Sequence, residues 1–479
     1  MNLRRPVGLT LLSALCLTVA SLTPAVGADS PSGPSSARSS SVGWTAVNSG
    51  PVDSLAEIST ARTADGVVHA FYRQDGSIVH TALTSAGGVA SHSTVVTPGS
   101  GVASIYPAMV TPSGGLRVVF GGLGEGPTGD GRAAEATSDA SGSAWTLGTR
   151  ALTKNNSVYA AYGLGATLLA DGTPVTAVPA LGSHAWRVGA IETTDPAARN
   201  TAPEDQSTTM ADCCSYHTSL VSSGDDVFMA WYQNGGDAST SGIFVQQIHP
   251  SVGAIMKAPG SSVGDDSSAP DQTVAMVARP GGGVVVAYPL GYLDASVGLW
   301  EVGSTSATKV PGSVGADRIS MSATPSGRLW LGWTTESGDT SFTRTGPTGF
   351  ATGVPGDAGA PAGSDLRDLA INGSEDGAVL LVNDSATSRV HATVVDPALT
   401  LRSSKKKAKV GLVTKVKFKV TEGGKGVQGV KVKGGGFSCR TRATGVCVIK
   451  YEPRKKGKVV FKAAKGGYEP ARLKLKVKG

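Results

Sequence analysis

Seven times between Asp65 and Asn383 the chain makes a tight turn and runs straight into an apolar strand. The stretches are DGVVHAFY (Asp65–Tyr72), GGLRVVFG (Gly114–Gly121), DGTPVTAV (Asp171–Val178), DDVFMAWY (Asp225–Tyr232), GGVVVAYP (Gly282–Pro289), SGRLWLGW (Ser326–Trp333) and DGAVLLVN (Asp376–Asn383). A short apolar strand precedes each turn. The turn glycines Gly66, Gly114, Gly172, Gly224, Gly282, Gly327 and Gly377 follow one another at 45–58 residues. A period of that size marks four-stranded repeats stacked into an array or a ring. A single repeat cannot bury both of its faces, whereas repeats packed in a ring can, and the ring leaves only short edges.

The expected fold class is therefore all-β: a β-propeller over residues 43–400, followed by a small Ig-like β-sandwich over 409–479. Seven blades are expected, with six as the alternative, because the third unit is poorly patterned. The last unit ends soon after its third strand, at Asp396-Pro397. Trp44–Asn48 can supply its fourth strand, which would close the ring by joining the two ends of the propeller. Gly at 65 of 479 residues, with few helix-like apolar periods, fits short strands joined by turns.

The N-terminus reads as a secretory signal over 1–28. Arg4 and Arg5 precede the apolar run Val7–Leu22, and Val26-Gly27-Ala28 offers a small-residue cleavage site. Residues 29–42 read as a low-complexity linker, and 401–408 as a second, basic one. No later stretch is apolar for long enough to span a bilayer as a helix. The expected location is secreted, extracellular or cell-wall associated.

Export makes disulfides the default for Cys213, Cys214, Cys439 and Cys447. The short separation of Cys439 and Cys447, across an expected hairpin, favours that pair, leaving Cys213 to bond Cys214. A bond between neighbours makes a small strained ring. It would serve either as a lock on the fourth inner strand or as an apolar plate for a sugar ring.

Charge divides the chain. From Arg402 onward there are 24 Lys+Arg against 3 Asp+Glu, and over residues 29–401 there are 17 against 33. A balance of +21 beside one of −16 points to a polyanionic partner for the basic part. Lys415, Lys417, Lys419, Lys431, Lys433, Lys474, Lys476 and Lys478 alternate with apolar residues, the period of strands with one wet face. They are the expected polyanion-binding set. The expected partner is an extracellular polysaccharide or anionic cell-wall polymer. Export disfavours nucleic acid, and a monomer is expected.

Two stretches resemble known families. Thr137–Trp145 (TSDASGSAW) resembles the Asp-box turn of secreted bacterial sialidase-like propellers, Ser/Thr-x-Asp-x-Gly-x-x-Trp. Thr137, Asp139, Gly142 and Trp145 match in order, with one extra residue between Asp139 and Gly142. The resemblance implies a structural turn between outer strands. Residues 409–479, with GFSCRTRATGVCVIKY and the Gly-Tyr-x-x-Ala approach to the last strand, resemble bacterial Ig-like modules.

A propeller binds ligands at a mouth of its channel, where inner strands begin. The positions nine and ten residues before each turn glycine, with their neighbours, supply Glu57, Tyr162, Tyr216, His217, Asp271, Gln272, Asp317, Arg318, Arg367 and Asp368 as ligand-binding candidates. The carboxylates suit acid–base chemistry or oxygen ligation of a metal. No spacing specifies a metal, and no cofactor is expected, a structural calcium being left open.

Two function classes follow. The first is an exported carbohydrate- or surface-polymer-binding propeller with a basic anchoring module. The alternative is a carbohydrate-active enzyme at the channel mouth, either a sialidase-like glycoside hydrolase or an acidic-polysaccharide lyase. The family's sialidases need an arginine triad, an Asp acid and a Tyr–Glu pair. Only Arg318 and Arg367 fall near the expected mouth, and the arginine motif ahead of the first blade is missing. Binding is therefore preferred to catalysis, and no catalytic residue is assigned. Peptide mapping of non-reduced protein should recover the two local links, Cys213–Cys214 and Cys439–Cys447. A link between the propeller and the C-terminal residues would contradict the pairing.

Overall fold

A computed structural model describes residues 43–479 apart from 54–56, 98–101, 123–133, 149–164, 180–185, 191–214, 234–240, 262–272, 292–294, 336, 354, 423 and 467. The signal segment, the first linker, Cys213, Cys214, Tyr162, Asp271 and Gln272 lie outside the described residues.

Among the described residues, the chain up to Val395 forms seven antiparallel sheets. Their first strands are Ser59–Arg62, Val102–Val110, Gly165–Leu168, Ser215–Ser223, Ala275–Ala278, Ala316–Ala323 and Leu366–Gly373. Each lies against the first strand of the next sheet, and the last lies against the first. This closed cycle of inner strands is a β-propeller. The seventh sheet takes its fourth strand from the other end of the chain, as expected. Thr45–Ala46 pairs antiparallel with Arg389–Val395, Thr45 opposite Ala392 and Ala46 opposite His391.

The run after each turn is apolar throughout because each second strand is buried on both faces. Along Val68–Gln74, Phe71 enters the core shared with the second sheet and Tyr72 the core shared with the seventh. Leu380 and Leu381 divide the same way between the sixth–seventh and seventh–first interfaces. Trp231 faces the third sheet and Tyr232 the fifth. Alternation still operates, but both destinations are dry, so the pattern reads as continuous.

The turns share one construction. Thr63 N–H donates to Val67 O at 3.1 Å, and Gly66 N–H to Thr63 O at 2.9 Å. The sixth sheet repeats this with Thr324 N–H to Arg328 O at 2.8 Å and Gly327 N–H to Thr324 O at 2.9 Å. The glycine closes the loop in the left-handed region, with φ 87° at Gly66 and 83° at Gly327. The fourth turn, a two-residue hairpin with Ser223 opposite Asp226, and the seventh depart from the pattern. Gly377 is not left-handed, and Ser374 N–H bonds Gly377 O at 2.7 Å.

The Asp-box-like stretch joins the third and fourth strands of the second sheet, Ala134–Ser138 and Trp145–Leu147. Asp139 Oδ1 accepts from the Ser141 N–H at 3.0 Å and the Ser141 hydroxyl at 2.6 Å. Trp145 packs edge-on against Phe71 with centroids 5.6 Å apart. Its role is structural: it pins the turn to the first sheet.

Beyond Pro397 the chain builds two more sheets. One contains Thr400–Ser403, Thr414–Glu422, Lys425–Gly426 and Val446–Tyr451; the other orders Lys407–Lys409, Ala471–Lys478, Gly457–Ala464, Lys431–Gly434 and Phe437–Arg440. They share one core, in which the Phe418 and Phe461 rings sit 4.7 Å apart. Residues 401–408, expected as a linker, instead contribute to two strands, because Leu401 and Ala408 are buried in that core. Cys439 and Cys447 are bonded as expected. The bond ties the two sheets together rather than crossing a hairpin, since Cys439 pairs with Val432 in one and Cys447 with Phe418 in the other.

The C-terminal sheets are docked on the propeller by charge of the opposite sense to the bulk balance. Glu422, 3% exposed, is gripped by two propeller arginines. Arg328 Nη1 donates to its Oε2 at 2.8 Å and Arg344 Nε to its Oε1 at 2.9 Å. Arg344 also lies over the Trp330 ring at 5.0 Å and donates to Glu375 O at 2.6 Å. At the connection, Leu399 N–H donates to Glu469 O and Glu469 N–H to Pro397 O, both at 3.1 Å. Removing one member of a buried ion cluster strands the others at a cost of about 3–5 kcal/mol. Glu422→Ala should therefore lower the thermal midpoint strongly and make the 396–400 junction protease-sensitive. Wild-type melting and an intact junction in the variant would contradict this docking.

Candidate functional site

The inner strands begin irregularly, and the irregularity is the feature that builds the site. In four sheets the first strand carries a β-bulge near its start: between Ile105 and Ala108, Tyr216 and Ser219, Ala316 and Ile319, and Leu366 and Asp368. A bulge leaves residues unpaired and re-aims their side chains. Asp317 and Arg318 both sit in the bulge of the sixth sheet, and Arg367 in that of the seventh. His217 sits in the fourth, with Tyr216 paired beside it on Ser215–Ser223.

Three neighbouring sheets, the sixth, seventh and first, bring Arg318, Asp368 and Glu57 together. Ile58 N–H donates to Asp368 Oδ2 at 2.5 Å, which puts the Asp368 carboxyl beside the Glu57 backbone. The same device recurs round the ring: Ser320 Oγ accepts Ile371 N–H at 3.0 Å, and Thr273 Oγ1 accepts Ile319 N–H at 2.8 Å. Asp368 therefore has a structural share, satisfying an inner-strand N–H of the next sheet. A neutral hydroxyl does that job elsewhere, so the carboxyl is more than the job requires.

The Glu57 side chain is exposed to solvent at the mouth, with the Asp368 carboxyl beside it. Burial pushes its pKa up to about 8, with the Asp368 carboxyl adding to the rise. Burial also raises Asp368 to about 6, against the Ile58 and Leu369 N–H groups and the Arg318 guanidinium, which hold it down. Near neutral pH the pair keeps one proton, on Glu57, while Asp368 is mostly ionised beside Arg318. Such a split gives one donor and one acceptor in a small space. Asp317 completes the edge, its Oδ2 3.7 Å from Arg318 Nε.

Arg367 does not join them. It is half exposed and points away to Asp365, 2.7 Å distant, whose carboxyl also accepts from Ser385 at 2.6 Å. Its bulged position explains this, since the extra residue turns its side chain outward while Asp368 resumes pairing. An arginine pair made of Arg318 and Arg367 is thus not assembled. No cluster of metal-ligating side chains occurs among the described residues.

A second polar cluster was not foreseen in the sequence. Thr63 Oγ1 donates to Asp65 at 2.6 Å and meets His69 Nε2 at 3.0 Å; His69 Nδ1 meets His80 Nε2 at 2.8 Å. His80 Nδ1 meets Ser93 Oγ at 2.9 Å, and Ser93 donates to Gly142 O at 2.6 Å. Neutral rings would leave this chain, with acceptors at both ends, one proton short. Burial nevertheless opposes adding it, and His80 is held down to about 4. The rings are fully enclosed, so the cluster braces the first sheet against the Asp139 turn.

No protein-family model matches the chain, and no curated protein does. Among solved structures, a mitotic checkpoint complex chain is 14% identical, covering 79% of this chain and 100% of its own at a TM-score of 0.45. SapL1 lectin with alpha methyl fucoside is 13% identical, covering 65% and 98% at 0.42. A polysaccharide lyase of family PL25, an ulvan lyase, is 10% identical, covering 74% and 96% at 0.42.

The two titrating clusters act in opposite directions. Carboxyls raised in the fold contribute stability below their unfolded pKa, which is lost as pH rises through the folded one; for Glu57 the window runs from about 4.5 to about 8. A lowered imidazole contributes above its unfolded pKa; His80 loses this as pH falls from about 6.5 to about 4. Glu57→Gln should thus melt higher than wild type at pH 8 and no higher at pH 4.5. An equal offset at both pH values would contradict the proton-holding carboxyl.

Proposed function

We propose that this is an exported protein that binds carbohydrate or a surface polymer at the mouth of its propeller channel. On this reading the seven sheets are seven blades, and the C-terminal sheets form an Ig-like module that anchors the protein to a surface. The supporting observation is the Glu57–Asp368–Arg318 group. A carboxylic acid, a carboxylate and a guanidinium from three successive sheets can donate to and accept from neighbouring sugar hydroxyls. The sialidase-like part of the reading is one of architecture, supported by the Asp139 turn.

The same carboxyl pair favours one enzymatic alternative, a lyase on acidic polysaccharide. Arg318 would neutralise the uronate, Asp368 would take the proton and Glu57 would supply one. Calorimetry of the full-length protein against a panel of neutral and acidic oligosaccharides separates the readings. Binding is expected without product formation, and Arg318→Ala should weaken binding of the neutral oligosaccharides at least tenfold. Chain cleavage that Glu57→Gln abolishes would replace binding with catalysis. Equal affinity in Arg318→Ala and wild type would remove the mouth as the site.

A further inference from the structure

The eight lysines expected to hold a polyanion do not share one surface. Lys415, Lys417 and Lys419 lie on the outer face of the four-stranded sheet, opposite Lys450, Val448 and Val446. Val448 is 43% exposed there, so apolar surface breaks up the charge. Lys431, Lys433, Lys474, Lys476 and Lys478 lie on the five-stranded sheet, whose exposed face is a grid of cations.

The strand register fixes that grid. Lys476 stands between Lys407 on one side and Lys458 on the other. Lys409 stands beside Lys478. Lys462 stands between Arg472 and Lys433, and Lys431 opposite Arg440. All of these side chains are exposed. Cations directly opposite one another on paired strands repel and weaken the sheet. A solubilising face would intersperse both signs. Here the C-terminal acids lie elsewhere: Glu422 is buried against the propeller, Glu469 is at the junction, and Glu452 follows a strand of the other sheet. Among the described residues no lysine of this face enters an ion pair with the acidic propeller.

We infer that the outer face of the five-stranded sheet, through rows such as Lys407–Lys476–Lys458 and Arg472–Lys462–Lys433, is a docking surface for a linear acidic polysaccharide. The inference deepens the anchoring part of the proposed function. Strands about 4.8 Å apart, with outward residues about 7 Å apart along each, make a grid of positive charge. That grid suits a polymer carrying a carboxylate on each sugar ring. The lysine face offers no aromatic platform for bases, since Phe461 is buried in the core and Phe437 shares the Cys439 side of its strand, which disfavours single-stranded nucleic acid. The Glu422 clasp, on the four-stranded sheet, seats the C-terminal sheets on the turn side of the propeller, whereas the Glu57–Asp368 mouth opens where the inner strands begin. A polyanion held by the sheet therefore stays clear of the acidic mouth.

The test uses full-length protein and polygalacturonate in calorimetry over a salt series. One variant combines Lys458→Gln, Lys462→Gln and Lys476→Gln. A control combines Arg402→Gln, Lys417→Gln and Lys450→Gln, removing the same charge from the outer face of the four-stranded sheet. The first should lose at least tenfold in affinity and flatten the salt dependence, with its melting point unchanged or raised by relief of repulsion. The control should lose less than threefold. Equal losses would show that net charge alone matters and overturn the grid, as would no binding at low salt or tighter binding of duplex DNA than of polygalacturonate. The triple-lysine variant should leave binding of a neutral oligosaccharide at the mouth unchanged, so failure at the mouth and failure at the sheet read out separately.

Discussion

The structure depends on burying the second strand of every sheet on both faces. A side chain such as Phe71 meets His80 within its own sheet, but its burial is completed by the second sheet that stands against it. Tyr72, next in sequence, needs the seventh sheet in the same way, and its hydroxyl reaches Val47 O at 3.2 Å. Each interface thus requires its neighbours, and the requirement closes only if the last sheet meets the first. Thr45–Ala46 completes the seventh sheet, so the two ends of the propeller are tied within one sheet. The turn glycines and the outer-strand Asp139 turn then set spacing and angle within an arrangement that burial demands.

Ring closure also makes the site. Inner-strand N–H groups face the next sheet and need acceptors, which hydroxyls such as Ser320 and Thr273 provide. At the junction of seventh and first sheets a carboxyl, Asp368, takes that place, and Glu57 comes with it. Two carboxyls this close cannot both ionise cheaply, and Arg318 from the sixth sheet compensates one of them. The opposite end of the same strands is finished differently, with arginines. Arg62 donates to Asn372 O at 2.9 Å and Arg279 to Gly327 O at 3.0 Å, joining turns of neighbouring sheets. Arg328 and Arg344 belong to this set but have been given Glu422 to hold, and so the C-terminal sheets are seated there.

Much of this was legible in the sequence because it depends on local chemistry. The turn glycines and the unbroken apolar runs are periodic, and the closing strand is implied by a last unit one strand short. The alternation of lysine with valine, leucine and phenylalanine fixes which face of each C-terminal strand is wet. What escaped is what register decides. Arg367 and Asp368 are adjacent in sequence, and only the bulge between Leu366 and Asp368 sends one outward and leaves the other on the ring. Lys415 and Lys474 carry the same pattern, yet they belong to opposite sheets. Nothing local in TKVKFKVTE points Glu422 to arginines that lie 78 and 94 residues earlier in the chain. The basic linker over 401–408 misled for a related reason: its lysines are solvated, but Leu401 and Ala408 between them belong to a core.

The central claim is that one molecule carries two separate binding faces, a channel mouth for sugar hydroxyls and a lysine-faced sheet for a polyanion. Hydrogen exchange on the full-length protein tests it most directly, with a neutral oligosaccharide and polygalacturonate added in turn. The account predicts that the neutral sugar slows exchange at the starts of the inner strands, around 57–59, 316–320 and 366–370. It predicts that polygalacturonate slows exchange over 431–434, 457–464 and 471–478 and leaves the mouth unchanged. Protection of the same segments by both ligands, or protection confined to the four-stranded C-terminal sheet, would contradict it.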